Sequence, residues 1–235
     1  MSGRGVFVTG TDTGVGKTVV ACALIRGLRS LGLQVAAMKP VASGSERTSR
    51  GLRNADALAL VASTGLALPY SEVNPYCFEP PISPHIAAKE SGIRIDISTI
   101  KQVYEGMSGR HDWVVIEGAG GWFAPIGERR NMADLAWALA VPAVLVVGLK
   151  LGCLNHAKLT HAGIEARGVS FAGWVASAVD PAFERAEENL ASLARLLGSP
   201  PLAVVPHATE STGPLTLTQA ALRLTQSTPQ APDAP

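Results

Sequence analysis

The sequence predicts an α/β fold: a doubly wound, mostly parallel sheet with helices on both faces. Three observations predict it. Six short apolar runs of strand length occur along the chain, they alternate with segments of helical period, and they end at small or charged residues. A chain of 235 residues, 47% hydrophobic and 17% charged, has enough apolar surface for one such sheet. One domain over residues 1–225 is therefore expected, followed at 226–235 by a disordered tail rich in Pro, Ala and Gln.

Residues 5–9 are the first strand, and residues 19–31 form a helix with Val20, Leu24, Leu28 and Leu31 on one face. Gly32 is a C-cap candidate, and residues 34–38 form the second strand, ending at Lys39-Pro40. Residues 41–95 are less regular, with a turn cluster at Ser43-Gly44-Ser45, a helix expected over 55–62 and a proline-rich stretch from Pro75 to Pro84. Asp96 is placed to N-cap a helix reaching Met107, before the apolar strand 113–116. Helices at 132–140, 155–167 and 182–197 then alternate with strands at 143–147, 172–176 and 202–205. Ligands of such sheets collect beyond the carboxyl ends of the strands, which brings Thr9, Lys39, Glu117, Gly148, Ser177 and Pro206 toward one edge.

Composition narrows the partners. Twenty Lys and Arg against nineteen Asp and Glu leave a net charge of +1, too little to indicate a nucleic-acid surface. The longest apolar run, 141–149, contains Pro142 and Gly148 and falls short of the roughly 20 residues that span a bilayer. With no export-signal pattern at the start, a cytoplasmic protein is expected. Cys22, Cys77 and Cys153 lack metal-binding or disulfide spacing and read as reduced thiols. His156 and His161 are five apart, which does not put them on one helical face as a metal pair, and both read as structural or exposed. Trp122 suits a pocket wall, the core or an interface.

Between the first strand and helix lies Gly10-Thr11-Asp12-Thr13-Gly14-Val15-Gly16-Lys17-Thr18. Gly14, Val15 and Gly16 offer backbone N–H groups at a helix start, Lys17 a cation, and Thr18 a hydroxyl for Mg2+. This is a phosphate-binding P-loop for a nucleoside triphosphate. It departs from the strict spacing, which would put the first glycine at Thr11 rather than at Gly10. Magnesium takes hard oxygen ligands, and Glu117, directly after an apolar strand, is placed to supply one. Position alone leaves Asp56 as an ordinary helical acid. Lys39, on the binding edge, reads equally as a solvated lysine or as a second cation for a phosphoryl-transfer transition state.

Several motifs occur in one order: the P-loop, Lys39-Pro40-Val41-Ala42-Ser43-Gly44, Glu117-Gly118-Ala119-Gly120-Gly121 and Lys150-Leu151-Gly152-Cys153-Leu154-Asn155-His156. With residues 51–60, 73–76, 83–86 and 172–176 they make the chain resemble the dethiobiotin synthetase family over about residues 3–208. The resemblance implies an ATP-dependent cyclo-ligase that joins 7,8-diaminononanoate and CO2 through a carbamate and a carbamic-phosphoric anhydride. It implies Mg2+ held by Thr18, Asp56 and Glu117, and Thr13, Lys17, Lys39 and Ser43 around the carbamate and reacting phosphate. The nucleotide site it implies also takes in Val19, Gly118, Ala119, Gly120, Ser177, Pro206, His207 and Ala208. The diaminononanoate carboxylate is expected at Gly152, Cys153, Leu154 and Asn155 of a second copy in a homodimer, with Asn189 where some members carry a tyrosine. Ser177-Ala178 stands where the family often has Asn-Asp to read adenine, and Gly14 where it often has Glu.

Two other classes share such loops. Partition and iron-protein ATPase switches usually carry an early lysine, which Thr11-Asp12-Thr13 lacks. Corrin amidoligases add a glutaminase domain, for which 235 residues leave no room.

Overall fold

A computed structural model describes residues 4–207 and 214–227. Its main sheet is built from β1 (Arg4–Gly10), β2 (Val35–Met38), β7 (Trp113–Glu117), β8 (Ala143–Gly148), β9 (Phe171–Ser177) and β10 (Ala203–Val205). Their order is β10-β9-β8-β1-β7-β2, and every pairing is parallel. The chain thus leaves β1 in one direction to β2 and β7 and later in the other to β8, β9 and β10. The carboxyl end of β1, between β7 and β8, is the crevice where such sheets bind ligands.

Alternation along each strand divides the core into two layers. Val6 and Val8 of β1, Val115 of β7 and Val144 and Val146 of β8 pack under α1 (Lys17–Ser30) with Val20, Leu24 and Leu28. Phe7, Ile116 and Leu145 face the opposite layer, built on α5 (Ile97–Ser108), α6 (Met132–Leu139), α7 (Cys153–Ala166) and α8 (Ala186–Leu196). Asp96 caps α5 by accepting from Ser98 N, as its sequence position suggests.

The irregular segment 41–95 is more structured than the sequence suggests. It holds α2 (Ala55–Thr64), the short helices α3 (Tyr70–Val73) and α4 (Pro84–Glu90), and four short strands. Of these, β3 (Val41–Ala42) pairs with β6 (Tyr76–Cys77), and β4 (Glu46–Thr48) forms a hairpin with β5 (Gly51–Arg53). Strands of two or three residues give no alternation to read. The helix expected at 182 starts instead at Ala186, after Arg185 in a left-handed conformation. The helix expected at 155 starts two residues earlier, at Cys153.

One helix was not anticipated. α9 (Thr218–Ser227) lies against α1, where Leu217 N donates to Ala23 O. The close approach requires Gly27, since a Cβ there would fall 2.6 Å from Leu217 O. The expected tail at Gln226 therefore begins inside this helix, and residues 228–235 lie outside the described ones.

Candidate nucleotide and ligase site

The phosphate loop wraps over the end of β1 because two glycines take left-handed angles, Gly14 at φ 74 and Gly16 at φ 86. Gly16 is the N-cap of α1, so the loop delivers exposed N–H groups to the positive end of that helix. The displaced glycine of the motif has a clear structural role. A Cβ on Gly10 would meet Val15 Cγ2 at 2.6 Å and the Lys17 stem at 3.1 Å, so only glycine lets the loop fold back over its own strand.

Lys17 is 7% exposed and donates to the Asp12 carbonyl at 2.8 Å. Burial, with Lys39 nearby adding repulsion, pulls its pKa down to about 8. Two carboxylates, Glu117 and Asp56, lie near enough to offset part of that effect.

Those carboxylates converge on Lys39. The Lys39 Nζ lies 2.6 Å from Glu117 Oε1 and 2.9 Å from Asp56 Oδ2. Burial works against its charge, but Glu117 and then Asp56 outweigh it and hold the ammonium above the usual lysine range. Burial likewise acts to raise Asp56, and Lys39 reverses that, leaving its carboxyl below the usual range. Three elements distant in sequence make this cluster: Lys39 just past β2, Asp56 in the first turn of α2, and Glu117 ending β7.

The Thr18 hydroxyl donates to Glu117 Oε1 at 2.9 Å. Glu117 is 1% exposed, and its Oε2 is buried without a hydrogen-bond partner. An orphaned buried carboxylate oxygen next to a hydroxyl and a second carboxylate fits a small hard cation, and the donors are all oxygen.

A cavity of about 1010 Å³ opens over this cluster, lined among others by Thr13, Lys17, Lys39, Ser43, Asp56 and Glu117. Gly14, Gly16, Thr18, Val19, Ala119 and Gly120 also border it, whereas Val15 is buried in the core, 1% exposed. Gly118 packs against Phe7 behind the wall. Sequence reasoning overlooked Asn54, which lines the same cavity, accepts from Ala57 N as the cap of α2 and reaches the Ser43 carbonyl at 3.4 Å. Its signal was present: an Asn directly before a helix is a cap.

A second cavity of about 650 Å³ lies beside the first turn of α1, bordered by Thr18, Val19, Cys22, Arg26, Pro206 and Leu215. His207 is exposed and does not line it, and Ala208 lies outside the described residues. Ser177 is 4% exposed and is turned to the loop: a Cβ on Gly16 would lie 2.6 Å from its Oγ.

Gly152, Cys153, Leu154 and Asn155 do not border the cavity over the phosphate loop of the same chain. Gly152, at φ 92, caps α7, and Cys153 is buried, so the start of this helix offers backbone rather than thiol. Leu151, Leu159 and Phe123 are exposed on α7 and beside it, at 93%, 62% and 59%. Asn189, on α8, spends its amide on the Arg185 carbonyl at 2.9 Å. Trp122 is a core residue, 2% exposed and edge-on to Phe7. His161 is buried edge-on to Phe171, and His156 is exposed.

The parallel sheet, the loop at its central strand and the acid ending the neighbouring strand define a nucleotide-binding protein of the P-loop NTPase class. Solved structures of that class superpose on it. The MinC:MinD cell division complex of Aquifex aeolicus matches with a TM-score of 0.62 at 16% identity, covering 97% of this chain and 98% of that one. MinD of Pyrococcus horikoshii, complexed with Mg-ADP, gives 0.57 at 15% identity over 95% and 94%. At such identity these likenesses show the fold alone.

Sequence relatives are more specific. A family model described as "AAA domain" matches residues 4–214. The ATP-dependent dethiobiotin synthetase BioD of Pseudomonas paraeruginosa is 52% identical over 202 residues, 86% of this chain and 89% of that protein. BioD 1 of Salmonella typhi is 48% identical over 200 residues, 85% and 88%. The chain belongs to the ATP-dependent dethiobiotin synthetase family.

Proposed function

We infer that the chain makes dethiobiotin from 7,8-diaminononanoate, CO2 and ATP, releasing ADP and phosphate. The observation that carries this reading is the pair of lysines and pair of carboxylates gathered under one large cavity at a phosphate loop, in a chain of this family. The two signs cancel, so the site has no excess charge of its own to repel either an anionic substrate or the cation that accompanies a triphosphate.

One amine of the substrate adds to CO2 and loses a proton, giving a carbamate. A carbamate oxygen attacks the γ-phosphorus, ADP leaves, and a carbamic-phosphoric anhydride results. The second amine attacks the carbonyl carbon and phosphate departs, closing the ureido ring. Two anions must be held in line for the middle step, so positioning and charge supply most of the rate. Lys17 and the loop N–H groups hold the phosphates. Lys39, already desolvated between two acids, needs little reorganisation to stabilise the charge that develops on the transferring oxygens. Thr13 and Ser43, which both border the cavity, are donors for the carbamate. Thr18, Asp56 and Glu117 would hold Mg2+, which when bound offsets the triphosphate charge.

A homodimer completes the site in this reading. The N–H groups at the start of α7 take the substrate carboxylate of the partner subunit, and exposed apolar side chains lie at Leu151 before that helix, at Leu159 along it and at Phe123 beside its Gly163. The product is made in the cytoplasm. No described helix is long and apolar enough to cross a membrane.

Oxygen tracing tests the route. With ¹⁸O-labelled CO2, the anhydride route moves one labelled oxygen into phosphate, because the bridging oxygen leaves with phosphorus. Unlabelled phosphate would mean that water, not a carbamate, attacks the nucleotide.

A further inference from the structure

Behind the cavity, polar groups of two buried asparagines and the half-buried Tyr70 form a continuous hydrogen-bonded line from the start of α2 to the end of β2. The Asn54 backbone N–H donates to the Tyr70 hydroxyl at 2.7 Å, and that hydroxyl donates to Asn74 Oδ1 at 3.1 Å. Asn74 Nδ2 donates to the Lys39 carbonyl at 2.7 Å and to the Tyr76 carbonyl at 3.2 Å. On the other side of the same residue, Lys39 N donates to the Val73 carbonyl at 2.7 Å. Asn54 and Asn74 are 5% and 3% exposed and Tyr70 is half-buried, so water competes least at the Asn74 bond to the Lys39 carbonyl.

The two ends of the line are the backbone anchors of two charged groups. Asp56 follows Asn54 by two residues, and Lys39 crosses the cavity floor to meet it at 2.9 Å. β2 is an edge strand whose ladder ends at Met38 opposite Ile116, and Pro40 has no N–H to donate. Arg53 packs its guanidinium 4.2 Å over the Tyr70 ring, which limits how the phenol can turn. Burial pushes that phenol up to about 12, so it keeps the proton it donates.

We propose that Tyr70 and Asn74 are positioning residues that set the spacing between Asp56 and Lys39, so that Asp56 keeps an oxygen for the metal while Lys39 faces the transferring phosphate. This rests on the reading of Asp56 as a metal ligand and Lys39 as a transition-state cation. Neither Tyr70 nor Asn74 borders the cavity, so both act through the residues they hold.

The probe is the Mn2+ affinity of the protein saturated with a non-hydrolysable ATP analogue, read from loss of the free-ion EPR signal. It is measured beside kcat and KM for Tyr70→Phe, Arg53→Met and Asp56→Asn. Tyr70→Phe keeps the ring under Arg53 and removes only the hydroxyl. It is expected to weaken Mn2+ about tenfold, within the range seen for groups that orient metal ligands, and to lower kcat, with the KM for diaminononanoate changed less than about twofold. Arg53→Met, at a half-buried side chain, gives a smaller shift in the same direction and serves if Tyr70→Phe does not fold. Unchanged Mn2+ affinity in both, or in Arg53→Met alone where Tyr70→Phe does not fold, while Asp56→Asn weakens it, overturns the positioning role. Unchanged affinity in Asp56→Asn overturns the underlying metal assignment instead.

Discussion

Replacing Lys39 by Met removes one charge, keeps most of the stem, and has two separable consequences. Lys39 is 5% exposed, and its ammonium contacts Glu117 at 2.6 Å and Asp56 at 2.9 Å. Breaking a buried ion pair by deleting one partner typically costs about 3–5 kcal/mol. The low end applies here, because Glu117 keeps the Thr18 hydroxyl and the Asp56 side chain is 44% exposed and screened. For a chain of this size about 3 kcal/mol lowers the melting temperature by roughly 6–12 °C. Added Mg2+ should restore part of that loss, since a dication can then take the uncompensated carboxylates. Catalysis should suffer more than binding. A cation acting only on the transferring phosphate is worth about 10³-fold in turnover, whereas Lys17 and the loop still hold ATP, so its KM should move no more than about threefold. Thermal melts with and without Mg2+, together with steady-state rates, read both effects. Turnover within about tenfold of the parent would refute the role of Lys39, and a melting temperature unmoved by the substitution would refute the energetic reading of its burial.

Other predictions follow from single groups. Lys17 titrates near 8, well below an unfolded lysine, so its charged form is disfavoured by folding: the penalty is full below about pH 8 and is relieved as pH rises toward the unfolded value. ATP favours the charged form, so binding at pH 8.5 should take up roughly three quarters of a proton, seen as a dependence of calorimetric heat on buffer ionisation enthalpy; no dependence contradicts the depressed pKa. Glu117→Gln should raise the Mg2+ needed for half-maximal rate by about 10–100-fold, as expected for loss of a ligand charge, and an unchanged Mg2+ titration would remove Glu117 from the metal site. Because the Ser177 hydroxyl turns to Gly16, Ser177→Ala should leave the ratio of ATP to GTP efficiencies within about twofold; a larger change would mean that this hydroxyl reads the base.

The main sheet was legible because its strands are long, apolar and separated by helices of clear period. All six runs became neighbours in one parallel sheet. α9 was equally legible in principle: Leu217, Ala220, Ala221 and Leu224 repeat at helical spacing, but the polar residues around them give the segment the composition of the tail that follows. At the site, Lys17, Thr18 and Glu117 could be found from strand and loop position. Asp56 could not, because only the tertiary fold carries α2 to the end of β7, and its chemistry entered through family resemblance. The same limit hid the Tyr70–Asn74 line, whose members are 16 and 35 residues from the atoms they hold. The place of Ser177 at a strand end could be read from the sequence, whereas the direction of its hydroxyl is a matter of packing against Gly16.

In the proposed function, the lysine and carboxylate cluster at the phosphate loop couples ATP cleavage to ring closure. Radiolabelled bicarbonate supplied with diaminononanoate, Mg2+ and ATP tests it most directly. Acid-stable label is expected in dethiobiotin, equal in amount to the phosphate released and dependent on the diamine. Phosphate release without fixed label, whether or not the diamine is present, would contradict it and point to an ATPase of the switch type.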